Sequence, residues 1–171
     1  MIKYFLSSSL VFILILSSSL GFSQKAEDVV KWKYEIKKIG ALDYELKFTA
    51  KVDRSWHIYA TTPVPDGPIP TSVHYDDSTA IAPITQLVEL QKPISVMDQG
   101  FGTTVSYHSG QIDFVQRIRL SSQTSKIDGI IEFMACDDSK CLPPHQVRFS
   151  MSIPIAKKKI RFLYILYYLF I

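Results

Sequence analysis

Apolar and polar residues alternate with a period of two through the middle of this chain. Tyr44, Leu46, Phe48, Ala50 and Val52 fall on one side, and Glu45, Lys47, Thr49 and Lys51 on the other. That is the pattern of a strand with one buried face. Trp32, Tyr34 and Ile36 alternate with Lys33, Glu35 and Lys37 just before it, and residues 40–43 supply the turn between the two. Further strands are predicted over 72–75, 84–90, 104–109, 112–120, 127–135 and 146–153. In the last of these, Val147, Phe149, Met151 and Ile153 alternate with Arg148, Ser150 and Ser152. No stretch of the body sustains a helical period. Strands with turn signals at this spacing predict an all-β fold, an antiparallel immunoglobulin-like β-sandwich.

The two ends of the chain break the pattern. Lys3 is followed by an apolar stretch over 5–20, unbroken at its centre from 10 to 16, and Gly21 and Ser23 are small residues placed for cleavage before Gln24. This predicts a signal peptide over 1–23 and export of the mature protein. The apolar run is shorter than the roughly 20 residues that span a bilayer. Residues 24–156 then form one predicted domain. Beyond them, Lys157, Lys158 and Lys159 precede an apolar, aromatic-rich run to Ile171. This tail over 157–171 is either the stub of a truncated or frameshifted membrane segment or an interfacial anchor with a basic collar, which would associate the protein with the membrane.

Charge narrows the choice of partner. All 16 acidic residues lie within 24–156, whereas five of the 19 basic residues (Lys3, Lys157, Lys158, Lys159 and Arg161) lie outside it. The body is therefore near −2, and no basic face for nucleic acid is expected.

The chain has two cysteines, Cys136 and Cys141, in the run Met134-Ala135-Cys136-Asp137-Asp138-Ser139-Lys140-Cys141-Leu142-Pro143-Pro144. A bridge closing a loop of about six residues contributes only roughly 2 kcal/mol in the chain-entropy model. An exported protein keeps such a bridge oxidised, and exposed bridges open readily. The spacing leaves redox chemistry and a passive structural bridge both open. Five extended steps would part the two Cα atoms by roughly 16 Å, whereas a disulfide needs them within about 7 Å. The chain must therefore turn back through Asp137, Asp138 and Ser139, residue types that favour turns. Pro143 and Pro144 hold the exit extended.

The segment over 134–144 resembles the active-site segment of the N-terminal periplasmic domain of the thiol:disulfide interchange protein DsbD. Trp56-His57-Ile58-Tyr59, Gly67-Pro68-Ile69-Pro70-Thr71-Ser72 and Asp98-Gln99-Gly100-Phe101-Gly102 also resemble that family, the last at the position of its active-site cap loop. The similarity runs from about Val30 to Ile155. It implies a sandwich that passes reducing equivalents from a membrane electron-carrier domain to exported thioredoxin-fold proteins. It also implies that Cys141 forms the mixed disulfide and Cys136 resolves it. Four residues separate the cysteines here, where the best-studied enterobacterial form has five. The family's cap aromatic falls on Gly100 or Phe101, and Phe101 is the aromatic of the two.

The neighbours each carry two readings. Asp137 and Asp138 form the turn, and as carboxylates they would disfavour a nearby thiolate. Asp98 is a second such carboxylate or a solvated loop residue. His57 and Tyr59 share one face of a short strand and match family positions near the active site, while Tyr59 also suits a core position with its hydroxyl at the surface. Lys140 is solvated or lowers the pKa of the Cys141 thiol. Cys136, Cys141 and His145 fall short of the four ligands of a structural zinc site, and His57, His74 and His108 are isolated in sequence. No metal and no bound cofactor is expected; the electrons travel in the cysteine pair. The alternative from another class is a secreted β-sandwich binding module that holds a passive disulfide.

Overall fold

The alternating segments pair into antiparallel sheets in the computed structural model, which describes residues 24–121 and 124–153. The expected leader over 1–23 and the tail over 157–171 lie outside the described residues. A single helical turn, α1 (Ala26–Val29), comes first, followed by β1 (Val30–Lys38), β2 (Asp43–Val52), β3 (His57–Tyr59) and β4 (Ser72–Tyr75). Four shorter strands are next: β5 (Ile81–Pro83), β6 (Val88–Glu89), β7 (Ile94–Asp98) and β8 (Thr103–His108). The last described strands are β9 (Gln111–Leu120), β10 (Lys126–Phe133), β11 (Ala135–Cys136) and β12 (His145–Ser152).

The first sheet runs β1-β2-β9, with β5 and β6 both pairing the far edge of β9. The second runs β12-β10-β4, and the third β11-β3-β8-β7. The predicted turn at 40–43 becomes the β1–β2 connection, where the N–H groups of Ile39 and Gly40 both reach the Asp43 carbonyl. In β2 the buried residues are Tyr44, Leu46, Phe48, Ala50 and Val52, the alternation seen in the sequence.

Aromatic rings show how the sheets face one another. Phe48 of β2 meets Phe149 of β12 edge-on at 5.2 Å. Trp32 of β1 lies between Phe114 of β9 at 5.8 Å and Phe133 of β10 at 5.6 Å. The first two sheets thus enclose the core as a sandwich. Each such buried side chain contributes about 1.5–3 kcal/mol of transfer free energy. Gly129 of β10 permits the close approach of β4: a Cβ there would lie 2.3 Å from the His74 carbonyl oxygen and 2.7 Å from the Phe149 ring.

The third sheet works on two faces. Ile58 and Ala135 point into the main core, whereas Tyr59, Val105 and Cys136 form a second, smaller buried cluster. His108 of β8 is also buried and comes within 3.1 Å of the Glu89 carboxylate, at ion-pair distance without hydrogen-bond alignment. That contact links the third sheet to β6 of the first.

Three strand expectations need correction. Of the predicted strand over 84–90 only β6 forms; residues 84–87 are a loop that leaves Ile84 exposed, and β5 lies just before it, outside the prediction. β7 was not anticipated, because nearly every residue in it is exposed and no alternation results. The strand predicted over 127–135 changes sheets at Met134: β10 pairs β12 and β4, whereas β11 pairs β3. Burial alternates smoothly through Ile131, Phe133 and Ala135, so the pattern carries no mark of the switch. Its mark is the next residue. Ala135 and Cys136 are consecutive and both buried because each faces a different cluster.

Candidate active site

The sheet switch delivers Cys136 to the outer face of the third sheet, opposite His57 in the β11–β3 register. The chain then reverses. The Asp137 N–H donates to the Lys140 carbonyl at 2.9 Å. The Asp137 carboxylate oxygen Oδ1 accepts from the Ser139 N–H, the Ser139 hydroxyl and the Lys140 N–H, each at 2.8 Å. These bonds, from Ser139 first, hold the Asp137 carboxyl below its ordinary pKa. After the turn, the Leu142 N–H reaches the Ala135 carbonyl at 2.9 Å, and the Leu142 side chain is buried in the main core.

Cys141 is thereby pinned between a tight turn and a core anchor, directly across from Cys136. The two form an antiparallel bridge pair and a disulfide, with Cα atoms 4.0 Å apart. Their surroundings differ sharply. Cys136 is 1 % exposed, and the Tyr59 hydroxyl donates to its Sγ at 3.3 Å. Cys141 is exposed to solvent.

A groove of about 560 Å³ runs past the bridge between the turn and the β7–β8 hairpin. The eight residues assigned to the site from the sequence all line it: Cys136, Cys141, Asp137 and Asp138 on one wall, Asp98 and Phe101 on the other, with His57 and Tyr59 on the strand between them. Asp98 shapes the hairpin loop. Its Oδ1 accepts the N–H groups of Gly100 at 2.8 Å and Phe101 at 3.2 Å, and its carbonyl accepts that of Gly102 at 2.8 Å. Gly102 has φ +66°, a left-handed conformation suited to glycine. The loop sets the Phe101 ring edge-on to Tyr59, with centroids 6.0 Å apart. Phe101 therefore packs on the small cluster that contains Cys136, not on the main core.

Burial sets the protonation of the two groups between the walls. The Tyr59 phenol is pushed up to about 12 by burial first and then by the Asp98 charge, so it stays a donor at neutral pH. His57 is pushed below its ordinary value by burial, against the opposing pull of Asp138, Asp98 and Asp137. Its ring stacks on Tyr107 at 4.4 Å. His145 stays out of the groove, against Phe133 at 5.9 Å and Glu27 at 3.9 Å.

The family profile described as thiol:disulfide interchange protein DsbD, N-terminal, matches residues 27–153. The chain belongs to the DsbD N-terminal domain family. Two solved structures share its fold. The N-terminal periplasmic domain of ScsB from Proteus mirabilis superimposes with a TM-score of 0.57 at 11 % identity, over 77 % of this chain and 49 % of that one. The DsbD N-terminal domain of Neisseria meningitidis in its reduced form gives 0.56 at 13 % identity, over 76 % and 90 %. The chain thus spans about half the length of the first structure and most of the second. No curated protein sequence matches it.

Membership of the DsbD N-terminal family makes this a thiol:disulfide interchange domain, and the Cys136–Cys141 bridge is its disulfide. The sequence did not single out Tyr107, Val96 and Met97, which also line this DsbD-type groove. Tyr107 was within reach, because it shares a face with Val105 in a predicted strand. Val96 and Met97 lie on the unanticipated β7. Lys140 turns its ammonium toward the Trp56 ring, 5.7 Å from the centroid, and toward the Gln24 side chain at 3.4 Å.

Proposed function

We propose that this domain passes reducing equivalents in the periplasm, from a membrane electron-carrier domain to exported thioredoxin-fold proteins, with Cys141 exchanging and Cys136 resolving. The observation that carries the assignment is the unequal exposure of the two cysteines. An incoming thiolate must approach a sulfur in line with the S–S bond, and access decides which sulfur is attacked.

Loading begins when a donor thiolate attacks Cys141 Sγ. The S–S bond breaks, and its electron pair leaves on Cys136 Sγ, toward which the Tyr59 hydroxyl already points. A hydrogen bond to the charged form favours it, so Tyr59 stabilises this leaving thiolate. The donor's second thiol then displaces Cys141, the donor becomes a disulfide, and the domain holds two thiols. Delivery reverses these events. The Cys141 thiolate attacks a partner disulfide, Cys136 attacks Cys141 Sγ in the mixed disulfide, and the partner leaves with two thiols as the bridge re-forms. The electrons travel in the sulfur pair, and no bound cofactor enters any step.

Trapping tests the assignment. A Cys136→Ser variant lacks the resolving thiol and accumulates a mixed disulfide through Cys141 with an oxidised thioredoxin-fold protein on a non-reducing gel. Cys141→Ser should trap little. Equal trapping by the two variants would remove the assignment.

A further inference from the structure

Among the described residues β7 is an unpaired edge of the sheet that carries the groove, with β11 at the opposite edge. One hydrogen bond reveals which of its backbone groups point outward. The Ala60 N–H reaches the Ser106 carbonyl at 2.8 Å, so residue 106 turns its peptide groups toward β3. Its β7 partner is Ser95. Opposed residues of an antiparallel pair alternate between bonded and non-bonded. Ser95, and Met97 two residues on, therefore direct N–H and C=O away from the sheet.

Native proteins blunt exposed edges with charge, proline or short strands. The other edges here follow that rule. β1 carries Lys31, Lys33, Lys37 and Lys38. β5 ends in Pro83, β6 and β11 have two residues each, β4 has four, and β12 carries Arg148. β7 has no charge before Asp98, and Ile94, Val96 and Met97 are 51 %, 38 % and 62 % exposed. Val96 and Met97 also line the groove beside the bridge. The open edge and the exposed cysteine are thus parts of one surface, and Asp98, Asp137 and Asp138 outnumber Lys140 along it, so its rim is net negative.

We propose that β7 is the docking edge for the exchange partner: an extended segment beside the partner's reactive cysteine adds as a strand to residues 95–97. Strand addition takes affinity from main-chain bonds and specificity from alternate side chains. Here Ile94, Val96 and Met97 supply the apolar contacts, and the acidic rim selects a partner segment that carries a basic residue. This proposal rests on the exchange function above and names its docking surface.

The test compares two routes of reduction of the bridge in the full chain. Reduced thioredoxin gives up two electrons and two protons, forming its own disulfide as the Cys136–Cys141 bond opens. Dithiothreitol performs the same exchange without a protein surface. Ser95→Pro removes one outward N–H while leaving the β7–β8 ladder intact, and Ser95→Ala controls for the lost hydroxyl contact with Ser106. Ser95→Pro should slow reduction by thioredoxin at least tenfold relative to Ser95→Ala, with equal dithiothreitol rates. Equal thioredoxin rates would overturn the docking edge and leave the exchange function standing. A wild-type bridge opened by dithiothreitol but not by thioredoxin would overturn the exchange function, and docking with it.

A direct readout covers the case in which the proline variant misfolds. With Cys136→Ser joined through Cys141 to single-cysteine thioredoxin, hydrogen exchange at the Ser95 and Met97 amides should slow at least tenfold against the free chain. Unchanged exchange would overturn the proposal. Protection of these amides in the free chain, together with a dimer by sedimentation, would make the occupant a second copy and overturn it equally.

Discussion

Reducing the Cys136–Cys141 bridge should lower the melting temperature by no more than about 8 °C and leave a cooperative, β-rich fold. The bridge joins residues five apart in sequence. For a closed loop of about six residues, chain entropy gives roughly 7 cal/mol/K, or about 2 kcal/mol at 25 °C. A domain of about 130 residues unfolds with roughly 0.27 kcal/mol/K of entropy. Dividing the one by the other gives about 8 °C.

The structure makes that value an upper bound. Three bonds to Asp137 Oδ1 fix the turn whether or not the sulfurs are joined, and Leu142 stays anchored in the main core. Cys136 itself belongs to the small cluster on the other face of its sheet. Melting followed by circular dichroism, with and without a reductant, measures the shift. Loss of the transition on reduction, or a fall of more than about 20 °C, would make the bridge a structural clamp. The domain would then be a passive disulfide module.

Two other outcomes follow. Phe101→Ala should speed alkylation of the reduced pair by iodoacetamide several-fold with little change in melting temperature, because the ring covers the Cys136 cluster and is only partly buried; unchanged reactivity with a loss of several kcal/mol would make the ring an ordinary core residue. Tyr59 holds its proton in the fold up to about 12, above the value near 10 of an unfolded tyrosine, so its contribution is fully present below pH 10 and is lost as pH rises through 12. Urea unfolding at pH 9 and pH 11 should therefore show a smaller alkaline loss for Tyr59→Phe than for wild type, and equal losses would contradict that role.

What the sequence showed depended on which residues face the main core. β1, β2, β9 and β12 each bury one side there, and their alternation was plain. β7 buries neither side and left no pattern. β10 and β11 formed one unbroken alternation because Ala135 continues the core stripe of Ile131 and Phe133 even as the chain moves to another sheet. The site was legible for a different reason: its turn chemistry is local. Asp137 and Ser139 announced the reversal that brings Cys141 back to Cys136. The Tyr107 stack on His57, the Asp98 bonds to its own loop and the Tyr59 contact with Cys136 are products of register between strands far apart in sequence.

The two-faced sheet lets one small domain hold its disulfide apart from its main core. Ile58, Ala135 and Leu142 tie the site's backbone into the main core, while Cys136, Tyr59 and Phe101 sit on the opposite face in a cluster of their own. Opening the disulfide removes no side chain from the main core, so exchange need not be coupled to unfolding. Among the described residues, the same division leaves the outer face without a second sheet to cover it. One wall is the β7–β8 hairpin, and beyond it the β7 edge is unpaired among the described residues. Were β7 covered by another strand of this chain, the groove would lose its free edge and a partner would have only the Cys141 corner to grip. A redox site that must be reached by a folded protein therefore favours an unfinished sheet at this position, at the cost of an apolar edge that the rest of the fold avoids.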